Sequence, residues 1–183
     1  MGCDIHMFAE NKEDKKWVML EDAFRQENYD KKKYWCPHPY DDRNYELFAF
    51  LANIRNANNI QPICKPKGCP PNASHGFLHQ LDVWDCDAHS ISWFTLKELK
   101  EIPKKLLEQT IYDSSLILEK DEEGNITGTC RDTNGKHFGE VGERKLFKLF
   151  KTTGSPIEFI IKQLKSTGFE DDENIRIVFF FDN

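Results

Sequence analysis

Ile175-Arg176-Ile177-Val178-Phe179-Phe180-Phe181 is a run of β-branched and aromatic residues interrupted by a single charge. It lacks the apolar–polar alternation of a half-exposed strand, and so predicts a central strand covered on both faces. Upstream, Ser155-Pro156-Ile157-Glu158 has an N-cap serine, a proline at the first helical position and a glutamate at the third, and Gly168 closes the helix that follows. Val141, Leu146, Leu149 and Phe150 suggest a further helix. Ile111 to Leu118 and Ile126 to Cys130 flank the turn residues Asp121 to Asn125, as in a small, solvent-facing antiparallel hairpin. Thr95-x-x-Glu98 is a capping box ahead of Leu96, Leu99 and Ile102, with Pro103 as a stop.

Toward the N-terminus, Asp41-Asp42 offers an N-cap to a broadly apolar helix carrying Tyr45, Leu47, Phe48, Leu51, Ala52 and Ile54, which should end near Asn56 to Asn59. Asp4 to Glu10 alternates like a strand, and Trp17-Val18-Met19-Leu20 supplies its hairpin partner across the charged turn Asn11 to Lys16. The expectation is one α/β or α+β domain over residues 1–183, a single-layered mixed sheet with the N- and C-terminal strands inside, packed by helices, plus a small antiparallel hairpin.

The chain has 183 residues, 39% hydrophobic, enough for one substantial core. Its net charge of -6, with both signs interspersed, provides no basic footprint for duplex nucleic acid. No stretch approaches the roughly 20 apolar residues of a membrane span, and no secretory leader is visible, so a cytoplasmic location with thiol cysteines is expected. Met1-Gly2-Cys3 raises N-myristoylation, but His6 stands where Ser or Thr is usual.

Asp4 and His6 are two apart on a strand, so both leave one face while Ile5 and Met7 leave the other. A carboxylate beside an imidazole suits a divalent metal, and the D-x-H arrangement is similar to the opening ligands of metallophosphoesterases, although the G-N-H-D and G-H-x-H segments of that family are missing. The alternative is an Asp–His hydrogen-bonded pair that orders the end of the sheet. Asp85, Asp87 and His89 repeat the spacing and would share a face if extended; Asp-rich solvated turn chemistry is the competing reading. His75 and His79 lie i, i+4, but the general-base glutamate of a zincin is absent and Gly76 weakens the helix.

Arg43-Asn44 and Arg55-Asn56 bracket the buried helix, where planar guanidinium forks could hold a phosphate or carboxylate, or close the helix with salt bridges. Cys36, His38, Cys64 and Cys69 have the ligand types of a structural Cys3His zinc site without the usual finger spacing. Ser90 beside His89, or Cys3 beside His6, would be a nucleophile with a neighbouring base, without a G-x-S-x-G turn.

Met1-Gly2-Cys3-Asp4-Ile5-His6, Arg43-Asn44-Tyr45-x-Leu47-Phe48-Ala49-x-Leu51-Ala52-x-x-Arg55-Asn56, Pro62-Ile63-x-x-Pro66-Lys67-Gly68, His89-Ser90-x-Ser92-Trp93-x-Thr95-x-x-Glu98-Leu99 and the closing segment from Asn174 to Asn183 thread nearly the whole chain. In order and spacing they resemble a family of small uncharacterised bacteriophage and bacterial proteins. Lys67 stands where that family usually has Arg, and Cys69 where it has an aliphatic residue. The resemblance implies no particular activity; for a phage protein it implies the host cytoplasm.

The expected function is that of a small hydrolase for a phosphorylated or nucleotide-like substrate. Asp4, His6, Asp87 and His89 would gather a metal or share acid–base roles, with Ser90 and Ser92 at the reacting centre and Arg43, Asn44, Arg55 and Trp93 holding the substrate. The alternative is a non-catalytic binder that sequesters a nucleotide signal or a host protein, with Trp84 or Trp93 as stacking surfaces; a third reading makes the polar cluster purely structural.

Overall fold

The computed structural model describes residues 2–27, 30–131, 141–145 and 155–182. Its central sheet has four strands in the order β2-β1-β9-β5, formed by Lys16–Met19, Ile5–Glu13, Ile175–Phe181 and His89–Thr95. The two strands furthest apart in sequence are therefore the inner pair, as expected. Every residue of β9 is buried, in keeping with an unalternated apolar run. All three pairings are antiparallel, so the expected mixture of strand directions is not present and α+β is the fitting class.

β1 and β2 are joined by a tight turn, Glu13 pairing with Lys16, with Asp14 and Lys15 both at positive φ as a primed hairpin turn requires. A second hairpin pairs β3 (Phe24–Glu27) with β4 (Lys33–Cys36). The hairpin expected after residue 110 is present as β6 (Thr110–Lys120) and β7 (Ile126–Arg131), and β8 (Val141–Lys145) joins it as a third strand. Val141 therefore does not start a helix: its segment contains Gly142, a poor helix residue, and it is held instead by pairing with β6. The rest of that expected helix, through Leu146, Leu149 and Phe150, lies outside the described residues.

Helix α1 spans Tyr45–Ala52 and is capped not by Asp41 or Asp42 but by Asn44, which is extended and accepts the Leu47 N–H on Oδ1 at 2.9 Å. It stops at Asn53, earlier than expected, because Asn53 is left-handed and its N–H closes the last turn. Helix α2 spans His75–Trp84. Its Gly76 is a point of close approach, since a Cβ there would lie 2.9 Å from Met19 Cε. The Thr95 capping box starts α3 (Leu96–Lys100), Pro103 precedes α4 (Lys104–Leu107), and Ser155 caps α5 (Pro156–Ser166), which gives way to Gly168 at φ +81.

Strand alternation divides the core. Ile5, Met7 and Ala9 of β1 with Ile177, Phe179 and Phe181 of β9 pack beneath α1, α3 and α5. Phe8, Val178 and Phe180 face the other way and meet α2 through Phe77, with Leu81 and Trp84 one and two turns further on. That second face carries the candidate site at one end.

Candidate functional site

His6, Phe8 and Glu10 leave β1 on the α2 face, with Asp4 in phase just before the strand, and Asp182 follows β9 in phase with Phe180. Asp182 is the hub. Its Oδ1 accepts the Asp4 N–H at 2.7 Å, its Oδ2 accepts from His6 Nε2 at 3.2 Å, and its own N–H donates to the Asp4 carbonyl. His6 and Asp182 are about four-fifths buried, with side-chain exposures of 20% and 18%. Trp84 leans over the His6 ring with centroids 4.1 Å apart, and Phe180 stacks on it at 4.9 Å. The Asp–His pair expected within β1 is therefore formed across the sheet, between β1 and the end of β9.

Asp4 faces a different partner. Arg43 Nε and Nη2 donate to its two oxygens at 2.7 and 2.6 Å, a bidentate fork. This hydrogen bonding and charge hold the Asp4 carboxyl below its ordinary value. The guanidinium also packs against Gly2, where a Cβ would come within 2.9 Å of it, so a side chain at position 2 would press Arg43 off Asp4. Arg55 sits beyond α1 in a left-handed conformation, φ 51, and donates to the Gly2 carbonyl at 3.4 Å. It does not end the helix, but it does reach the site. Cys3 beside it is buried, and burial pushes its thiol up.

The third strand contributes His89 and Ser90. Asp182 O accepts from His89 Nε2 at 3.4 Å, and since a carbonyl can only accept, Nε2 carries the proton. In the neutral ring Nδ1 then presents its lone pair to Ser90 Oγ, 3.1 Å away. Ser90 sits at φ 52, where the β5–β9 register shifts between His89 and Ser92. A non-glycine residue in this left-handed region is held there by its surroundings, and such residues cluster at reactive sites. The resulting hydroxyl–imidazole–carbonyl chain has the connectivity of an activated nucleophile, with a main-chain carbonyl in place of the usual carboxylate.

Other expected site residues lie elsewhere. Asp85–Asp87 is a 3-10 turn continuing from α2, not an extended segment, so Asp85, Asp87 and His89 do not share a face. Asp4 is occupied by Arg43, and among the described residues no three His, Cys, Asp or Glu side chains form a metal-holding group. Cys36, His38, Cys64 and Cys69 are likewise apart. Cys36 Sγ and His38 Nδ1 donate to the His38 and Met7 carbonyls, Cys64 lines a cavity with Lys67 and Glu98, and Cys69 Sγ turns to the Pro70 carbonyl. Ser92 is fully buried and accepts the Lys67 N–H at 3.2 Å, which fixes the preceding loop. Asn44 is the α1 cap, and Trp93 is engaged with Lys67 and Arg176 toward the far end of the sheet.

Asp182 and Trp84 are the residues that sequence reading underused. Asp182 was legible as the polar residue directly after an apolar strand, in phase with Phe180. Trp84 follows Phe77 and Leu81 at helical spacing, so it was bound to reach the sheet once α2 is recognised. A cavity of about 530 Å3 opens on the other flank of Arg43, lined by Tyr40, Asp42, Asn44, Pro156 and Phe159. The chain matches no protein-family model, and no curated protein or solved structure is significantly similar to it.

Proposed function

We propose that the chain is a small hydrolase for a phosphorylated or nucleotide-like substrate, with Ser90 as nucleophile and His89 as its base. The observation that carries this reading is the 3.1 Å contact between Ser90 Oγ and His89 Nδ1 at a serine held at φ 52. Ser90 Oγ bonds to the electrophilic phosphorus and its proton passes to His89 Nδ1. The leaving oxygen departs with that proton, and water, activated by the same imidazole, then releases the product and restores the hydroxyl. The Asp182 carbonyl stabilises the protonated ring through Nε2–H, while the Asp182 carboxylate orients His6 as a second acid–base group. Arg55 supplies positive charge for the anionic group, Arg43 being paired with Asp4, and the cavity beside Arg43 has room for the remainder of a nucleotide-sized substrate.

A metal-assisted version of the reaction would draw Asp4 away from Arg43 to join His6 and His89. The two are separated by assaying p-nitrophenyl phosphate and bis(p-nitrophenyl) phosphate in chelator and in added divalent cations. Under the serine mechanism turnover survives chelation, Ser90→Ala abolishes it, and His89→Ala lowers kcat about a hundredfold or more. Turnover that needs added metal and survives Ser90→Ala would replace this mechanism by the metal one. Saturable nucleotide binding with no turnover would leave the site a binder.

A further inference from the structure

Helix α2 lays Phe77, Leu81 and Trp84 against the sheet and turns its other side to solvent. His75 and His79 stand on that outer side, both exposed and one turn apart. Despite Gly76 the first turn is formed: Ser74 Oγ accepts the Phe77 N–H and the Ser74 carbonyl accepts the Leu78 N–H, each at 3.1 Å. Residues at i and i+4 of such a helix carry their Cβ atoms about 5–6 Å apart, with side chains leaning the same way. Neither imidazole makes a hydrogen bond, ion pair or ring contact with a described residue, so both rings are at liberty to rotate.

Two imidazoles at that separation can each turn one nitrogen to a common ion without bending the backbone, and neutral imidazole suits the later first-row divalent metals. The second ligand then acts intramolecularly, which adds far more affinity than a lone histidine supplies. Asp82, exposed three residues beyond His79 on the same side, adds negative charge nearby. The helix dipole opposes a cation near its N-terminus by about two- to fivefold in affinity, which is small beside the gain from chelation. We propose that His75 and His79 form a bidentate surface site for a transition-metal ion, holding Cu2+ and Ni2+ more tightly than Co2+. No third His, Cys, Asp or Glu side chain among the described residues completes a metal-holding group with them, so water takes the remaining positions. The site lies on the solvent side of α2, whereas His6 lies beneath Trp84 on the sheet side, and it does not involve Ser90 or His89.

The test is calorimetric titration of Ni2+ into the full chain, with Mg2+ as the control ion. Wild type is expected to bind Ni2+ saturably and Mg2+ not at all. His75→Gln and His79→Gln are each expected to weaken Ni2+ binding at least about tenfold, and combining them to add little, because either change breaks the chelate. His79→Gln with Gln80→His restores the number of imidazoles but not their spacing, and is expected to bind as weakly as His79→Gln alone. Ni2+ at about 100 times its dissociation constant is expected to raise the melting temperature of wild type by about 5–10 °C, and that of the variants by much less. The proposal is overturned if Ni2+ does not bind saturably below the millimolar range, if Mg2+ binds as tightly, or if the folded single variants bind Ni2+ like wild type. Circular dichroism checks the fold of each variant, and should one misfold, the other decides.

Discussion

Glu10→Gln should be among the most damaging single-atom-scale changes this protein can suffer. Glu10 is 0% and Arg176 3% exposed at the side chain, they face each other across β1 and β9, and Nε meets Oε2 at 2.6 Å. Glutamine keeps the shape and can still accept the Ser74 N–H now bound to Oε1 at 2.7 Å, but it leaves the guanidinium charged, buried and uncompensated. Removing one member of a buried pair costs about 3–5 kcal/mol, and at this burial no discount for solvent screening applies. At about 2–4 °C per kcal/mol for a chain of this size, the melting temperature should fall by about 6–20 °C. Differential scanning calorimetry reads the shift directly. The double variant Glu10→Leu with Arg176→Met, which removes both charges and keeps a flexible side chain on Trp17, should recover most of the loss. A Glu10→Gln shift below about 3 °C, or a double variant no more stable than the single, would refute the account of this pair as a charge that needs its partner.

Two further outcomes follow from the other end of the face. Because Arg43 hydrogen-bonds and neutralises Asp4, the Asp4 carboxyl titrates below its ordinary value of 3.8; a depressed carboxyl contributes stability present above that value and lost as pH falls below it. Arg43→Ala should bring the Asp4 titration, followed by carboxyl NMR, back up toward the ordinary value, and an unmoved titration would contradict the bidentate contact. Asn44→Ala should cost about 1 kcal/mol in urea unfolding through loss of the α1 cap. An unchanged unfolding midpoint would contradict the role of Asn44 as that cap.

Where local chemistry alone decides an element, the sequence was sufficient. The Thr95 and Ser155 caps and the fully buried β9 stand where their residues place them, and so does the inner position of β1. Asp41-Asp42 misled because two adjacent polar residues compete with Asn44 for one cap, and the winner is set by where the chain turns inward. Sheet direction could not be read, since an unalternated apolar strand suits parallel and antiparallel neighbours alike. The site was legible as a residue set but not as a wiring diagram. Asp4 and His6 do share a face, yet Arg43 reaches one and Asp182 the other across sequence separations of 39 and 176 residues. Asp87 was lost because α2 runs directly into a 3-10 turn where extension was assumed. Conversely, His89 and Ser90 are adjacent in sequence and hydrogen-bonded in space, an uncommon arrangement that a bulge and a left-handed serine make possible.

The adjacency of β1 and β9 sets the order in which this protein can come into being. His6 and Asp182 are 176 residues apart, so β1 leaves the ribosome well before its central partner β9 is translated. Until then the apolar edge of β1 is an unpaired template, open to holdase capture or to pairing with another nascent chain. The pairing that finishes the sheet is also the one that delivers Asp182 to His6 and His89. A chain lacking Asp182 lacks the residue that ties His6 to His89, so the pairing of β1 with β9 and the assembly of this polar cluster are one event.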